Sequence, residues 1–529
     1  VAPFPYRLIA SIVGMLAASG VLAADLEVTY TTKTGDTLIG LQKQLLATPF
    51  SWKGIMVHNR IADPLRIPVG SLLRIPEGWL RSEPRTARVS AVRGDVSLDG
   101  HPLVVDERVP AGALLRTGQG AFVTLIMPDE SRLTVQPGSE ARLEKVQGFS
   151  GLAGQNTQVL LERGRVETAV SAQKGPAARY QIRTPTATIA VRGTAFRVGA
   201  EPDSGVARAE VTGGEVQMSG AGSRAPTALP AGFGVAAKPG EPIPVPRPLL
   251  PAPGLDSAAA PYERVALAFA FAAVDKATGY RAQIARDQAF ADLVADAVVS
   301  ASPARFSGVP DGRYWLRVRA IDGDGIEGLD AVRAIDVRAR PEAPAVSAPG
   351  ASGRGQVSFA WSAAAEAARY RLQLSRDAAF TAPVLDRETE ALEARVDLPP
   401  GEYQWRIASV RANGERGPWS ESRSVAVHKP LGQAVLTRYN NRLRFSWAGS
   451  PGQMYDFELA RDAAFTNIVL TQRIGEAALT IPAPSSGLYY LRVRGIEPDG
   501  TVGAYTGVQK LGTVPFLPWI LSAPEATRP

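Results

Sequence analysis

YRAQIARDQAF at residues 280–290 recurs as YRLQLSRDAAF at 370–380 and as YDFELARDAAF at 455–465. The offsets, 90 and 85 residues, are the length of one small domain. The flanks repeat as well. Upstream stand FAF (269–271), FAW (359–361) and FSW (445–447), and downstream GRYWLRVR (312–319), GEYQWRI (401–407) and GLYYLRVR (487–494). Apolar and polar residues alternate with period two, so one set of side chains points inward from a strand and the other outward. The pattern predicts three β-sandwiches over 261–340, 341–428 and 429–515, with a tail at 516–529. The Tyr and Trp residues are read as core. The recurring Arg-Asp pairs (Arg286-Asp287, Arg376-Asp377, Arg461-Asp462) open a turn that Asp caps, and Phe290, Phe380 and Phe465 are expected to enter the core.

These units resemble fibronectin type III modules, which implies immunoglobulin-like sandwiches with a buried aromatic near the centre. N-terminal to them, PGEPIPVPRPLLPAP (239–253) is the centre of a Pro-rich linker at 239–260. Such a stretch prefers polyproline II and spaces domains semi-rigidly.

The preceding block, 85–238, is dense in turn signals such as Leu98-Asp99-Gly100, Pro128-Asp129-Glu130 and Thr212-Gly213-Gly214. Short β-branched runs lie between them, which predicts an all-β sandwich, barrel or solenoid. Leu161-Glu162-Arg163-Gly164-Arg165-Val166, followed by TPTATIAVRGTAFRV (184–198), resembles the FecR domain. That family is best known from periplasmic halves of iron-uptake signalling proteins, which also have a membrane helix and a cytoplasmic anti-sigma part. No such apolar helix lies between the blocks here, so control of a sigma factor is not carried over. Arg192-Gly193-Thr194 is a candidate binding edge, with a solvated Arg192 and a bulge at Gly193 as the simpler reading. Arg93-Gly94-Asp95 fits a hairpin turn.

Residues 30–76, YTTKTGDTLIGLQKQLLATPFSWKGIMVHNRIADPLRIPVGSLLRIP, read differently. Gly35 permits a tight turn, and Asp36 or Thr37 caps the helix after it. Leu38, Leu41, Leu45 and Leu46 recur at helical spacing, a second apolar run spans Trp52 to Val57, and Leu72 to Pro76 closes as a strand. This small βααβ unit, bounded at 24–78, resembles a LysM domain, a family that binds N-acetylglucosamine-containing glycans such as peptidoglycan. The resemblance places a sugar groove at Gly35, Asp36, Thr37, Leu38, Asn59, Ile61, Pro64 and Ile67. A shallow groove of main chain with an apolar floor suits N-acetyl groups.

Residues 1–23 read as a signal peptide: Arg7 precedes an apolar run from Leu8 to Leu22, with small residues before Ala24. The run is shorter than the about 20 residues a membrane span needs. The absence of cysteine removes disulfides and thiolate chemistry. His58, His101 and His428 lie in separate segments, so no histidine metal site is expected. Net charge is +7 but interspersed, which does not make a nucleic-acid footprint. Ser171-Ala-Gln-Lys174 and Lys33-Thr34-Gly35 stand in the wrong order and in different domains for a penicillin-interacting enzyme. The expectation is a multidomain, mainly β, exported protein of a Gram-negative envelope. It is non-catalytic, takes no cofactor, and binds peptidoglycan with a possible envelope-protein partner. A periplasmic sensor partner and a wall-hydrolase accessory are the alternatives.

Overall fold

The computed structural model describes residues 27–529 apart from 173, 192, 222, 224, 256–260, 353–355, 428–430, 499, 501, 514–519 and 523–529. The expected signal segment, Arg192 and His428 lie outside the described residues. The first element is strand β1 (Glu27–Thr31), followed by helices α1 (Leu38–Leu45) and α2 (Trp52–His58) and strand β2 (Leu72–Pro76). β1 and β2 pair antiparallel, with Glu27 opposite Pro76. Leu38, Leu41 and Leu45 recur every three or four residues, so one stripe of α1 faces Val28, Tyr30, Leu73 and Ile75 in a small buried core.

Residues 82–248 form a closed barrel of short strands. Its organiser is the 18-residue strand Leu152–Ala169. The first half of that strand pairs with Glu140–Phe149 and, in parallel, with Arg179–Arg183. Its second half pairs with Arg132–Val135 and Ala195–Ala200. Inward Val, Leu, Ile and Ala side chains from these strands fill one continuous core. Arg93-Gly94-Asp95 is the turn between Thr86–Arg93 and Val96–Leu98, with Gly94 at φ +73°.

The connection into the barrel is packed, and so is the Pro-rich stretch expected as a spacer. Glu77–Trp79 is a 3-10 turn, and Ser82–Pro84 pairs with the end of Glu140–Phe149. In the Pro-rich stretch, Arg247–Pro248 pairs with Phe233–Gly234 and Leu249 is buried. Proline can sit at the end of this two-residue strand because its nitrogen need not donate to the ladder there.

The chain divides into two compact bodies. The first runs through Ala258 and includes Ala268–Phe306 and Tyr314–Ala334; the second holds the rest. The first body thus takes in the central sheet of the first repeat, where Gly279–Ala285 pairs with Leu293–Val299 on one side and with Trp315 to Ile321 on the other. In the second body, the second and third repeats each show a three-stranded sheet and a five-stranded sheet. Phe359, Trp361, Tyr403 and Trp405 centre one core; Phe445, Trp447, Phe457 and Tyr489 centre the other. The Tyr403 hydroxyl donates to Pro399 O (2.8 Å) and Tyr489 to Ser485 O (2.9 Å), so each buried phenol ties a corner four residues upstream.

The Arg-Asp turns form as expected: Asp287 accepts from the Ala291 and Asp292 amides, Asp377 from Thr381, and Asp462 from Thr466 and Asn467. The phenylalanines are buried as expected, at 4% to 7% exposure. All three sit at positive φ, 53° to 59°. Each ring lies beneath an arginine: Arg317 over Phe290 at 4.2 Å, Arg406 over Phe380 at 4.0 Å and Arg492 over Phe465 at 4.0 Å. The guanidinium closes over the ring that the turn presents.

Candidate functional site

In the βααβ unit, Thr32 joins the two loops expected to frame a groove. Its amide donates to Ser71 O (3.0 Å), its carbonyl accepts from Gly70 N (2.8 Å), and its hydroxyl donates to Pro68 O (2.7 Å). The turn Lys33 to Thr37 therefore starts where the loop from Arg60 to Ser71 ends. Asp36 Oδ2 accepts from Lys33 N (2.7 Å) and the Tyr30 hydroxyl (2.9 Å). Burial first, then that bond to Asp36, push the Tyr30 hydroxyl up to about 12. Thr37 caps α1 by accepting from Gly40 N (3.0 Å), and Gly35 holds φ +89°.

Of the eight candidate residues, Gly35 and Thr37 are exposed, and Asp36, Asn59, Ile61, Pro64 and Ile67 are half-buried. Leu38 is a core residue at 1% exposure, and Ile61 and Ile67 pack on the same core. Asn59 is occupied in structure: its amide donates to Ile55 O and Arg74 O, and its Oδ1 accepts from Arg74 N. Leu65 (92% exposed), Val69 (64%) and Ile39 (53%) are the apolar side chains the loops and α1 leave open to water, and sequence reasoning passed over them. Alternation in the loop could have pointed to Leu65 and Val69, because they flank the half-buried Ile67.

The unit is seated on the barrel by one carboxylate. Glu77 accepts from Asn156 Nδ2 (2.7 Å) and Arg179 Nη1 (3.1 Å), with Lys145 Nζ at 3.5 Å. Arg179 also donates to Glu27 O (2.6 Å), and Phe149 and Ala177 of the barrel join the unit's apolar core. A groove of about 930 Å³ runs beside this contact, lined by Glu27 and Thr29 of β1 and by Gln181, Ala190 and Gln217 of the barrel. Gly193 and Thr194 reach it too. Gly193 holds φ +109°, and the buried Thr194 hydroxyl finds no hydrogen-bond partner.

The densest chemistry lies on the opposite sheet of the barrel. Thr124, Thr134, Glu167, Arg197 and Glu210 stand directly opposite one another on five successive strands. The first repeat covers this row. Arg317 binds Glu167 through both nitrogens (2.7 and 2.8 Å), Arg165 donates to Glu210 (2.7 Å), and Thr124 Oγ1 donates to Ala291 O (2.7 Å). Glu327, 2% exposed, is ringed by Arg319 (2.9 Å), Arg165 (3.2 Å), Arg281 (3.2 Å) and Arg197 (4.0 Å). Asp296 and Asp330 complete the set, so Arg165, Arg197, Arg281, Arg317 and Arg319 face Glu167, Glu210, Asp296, Glu327 and Asp330. Charges cancel five against five, which is the condition for burying them. Burial would raise the Glu327 carboxyl, but the arginines outweigh it and hold it well below the usual range.

No group of three or more His, Asp or Glu among the described residues is placed to hold a metal ion, and no described helix is long and apolar enough to cross a membrane.

Residues 113–217 match the FecR protein family, so a FecR domain occupies most of the barrel. No curated protein matches the chain. Among solved structures, a putative anti-sigma factor from Parabacteroides distasonis is similar at 17% identity, over 26% of this chain and 59% of that one, with a TM-score of 0.22. The FN1–FN3 domains of chicken CNTN1 are similar at 14% identity, over 50% of this chain and 98% of that one, with a TM-score of 0.20.

Proposed function

We propose that this is an exported, non-catalytic cell-envelope protein. Its βααβ unit holds an N-acetylglucosamine-containing glycan such as peptidoglycan, and its FecR-domain barrel serves recognition of another envelope protein. The observation that carries the glycan reading is the pair of loops joined at Thr32: one turn holds the exposed main chain at Gly35, and the other loop holds the open apolar side chains Leu65 and Val69. Amide groups take the N-acetyl oxygen and apolar side chains take the sugar's flat face. Such binding is weak per site, and further modules on the same chain raise its effective strength.

The test is co-sedimentation of the full chain with purified sacculi, beside Leu65→Asp/Val69→Asp. Both side chains are already in water, so the double variant keeps the fold. Sedimentation lost in the variant supports the reading; equal sedimentation of both proteins, or of neither, overturns it. Removing the whole unit would be a poor control, because Asn156 and Arg179 would lose Glu77, and Phe149 and Ala177 their apolar neighbours.

The FecR domain at 113–217 favours a second reading, a regulatory or signalling partner in the periplasm. Co-purification with an outer-membrane or sensor protein, in place of sacculus binding, would select it. Clearing of sacculi in zymography would instead select the hydrolase-accessory role.

A further inference from the structure

The three repeats share one outward cross-strand pair, and its partners differ. In the first repeat Gln283 stands opposite Arg317, in the second Gln373 opposite Arg406, and in the third Glu458 opposite Arg492. Each arginine covers the phenylalanine of its Arg-Asp turn. In the first repeat, Arg317 donates to Gln283 and takes its carboxylate from the barrel, Glu167, while Phe290 packs against Phe122 of the barrel. In the third, the carboxylate is built in: Arg492 donates to Glu458 at 2.7 Å.

The second repeat has the receptor without the anion. Arg406 donates to Gln373 (3.0 and 2.8 Å), as Arg317 does to Gln283, and it is stacked between Phe380 (4.0 Å) and Trp419 (4.4 Å). Among the described residues no carboxylate lies within ion-pair distance of it. Arg371, next on the same face, is already neutralised by Asp386 in a two-point pair. Arg416, exposed and stacked on Trp419 at 4.6 Å, adds a second positive charge, offset at longer range by Glu263 and Asp386. Burial and Arg416 disfavour the charge on Arg406 and outweigh the attraction of Asp386, so an incoming carboxylate would supply the direct partner that Glu167 gives Arg317 in the first repeat.

We propose that the outer face of the second repeat around Arg406 and Trp419 is a docking surface for another protein. The partner is a β-sheet face that presents a carboxylate beside an aromatic side chain, as Glu167 and Phe122 are presented to the first repeat. The contact between barrel and first repeat is its template, and the charge complement is what selects the partner. The inference is independent of glycan binding.

The probe is a dansyl-labelled extended peptide alternating carboxylates and aromatics, TFTETFTE, titrated with the full chain and read by fluorescence anisotropy. Saturable binding is expected, weakened at least tenfold by Arg406→Gln and absent for the TFTQTFTQ peptide. Arg406→Lys, which keeps the charge but loses the planar fork, should fall between. Arg492→Gln should leave binding unchanged, because Glu458 already occupies that arginine. No saturable binding, equal binding of the glutamine peptide, or equal loss with Arg492→Gln would overturn the proposal. Circular dichroism of Arg406→Gln separates loss of binding from loss of fold.

Discussion

Glu327→Gln removes one charge from the centre of the buried network and changes almost nothing in volume. The wild-type carboxylate meets four arginines within 4.0 Å, at 2% exposure. The variant leaves five arginines against four acids in a water-poor interface. Removing one partner of a buried pair costs about 3–5 kcal/mol, because the remaining charge keeps its desolvation penalty without its attraction. An amide can still accept one guanidinium hydrogen bond, so the lower half of that range is expected, about 3 kcal/mol. For a body of this size each kcal/mol moves the midpoint by about 2 °C, so the first thermal transition should fall by roughly 6 °C. Calorimetry of the full chain would read it, with the transition of the second body unmoved. The double variant Glu327→Gln/Arg319→Met restores four against four and should recover part of the loss. A fall under about 1 kcal/mol for the single variant, the size of a surface pair, would refute a dry, tightly coupled network.

Three further outcomes follow from the same geometry. Gly164→Ala should destabilise the barrel by about 2–4 kcal/mol in urea unfolding, since φ is +87° and a Cβ would lie 2.5 Å from Ser139 Cα. Glu77→Ala strips Asn156, Arg179 and Lys145 of their shared acceptor; a loss of about 1.5–3 kcal/mol is expected, with limited proteolysis showing earlier cleavage in residues 27–76. The carboxyls of Glu167 and Glu327 are held low in the folded protein. Their stabilisation is thus complete above the unfolded value of about 4.3 and is lost as pH falls toward their folded values. The melting temperature of the first body should therefore hold between pH 7 and about 5 and drop steeply below about pH 4.

Much of the β architecture was legible because the repeats expose it three times over. The Asp-capped turns could be read from Asp287, Asp377 and Asp462 alone, since capping is a local event. The arginine over Phe290 could not, because Arg317 comes from a strand 27 residues further on and the positive φ of the turn is not written in residue type. The buried network was hidden for a different reason. Arg281, Arg317 and Arg319 occupy outward strand positions, which water normally covers, and nothing local announces that a barrel will cover them instead. The same holds for Glu167, Arg197 and Glu210, since nothing local marks them as the charges a repeat will cover. The Pro-rich stretch misled through composition: Leu249 and the pairing of Arg247–Pro248 fix it along the barrel, where a free spacer was expected. In the candidate groove, Leu38 and Asn59 have the right positions in sequence, yet packing claims one and the α2–β2 hydrogen bonds claim the other.

The charged row under the first repeat also bears on how the protein is made. Glu167 and Arg317 are 150 residues apart, and the barrel's last strand ends at Pro248, so the barrel's strands are all in the growing chain before its cover arrives. An apolar face left open that long would invite sticking to other chains. A row of threonines, glutamates and an arginine stays wet and soluble while it waits, and becomes costly to expose only once the repeat has landed. Mating by charge lets the two parts be synthesised and folded in sequence, with water as the temporary partner.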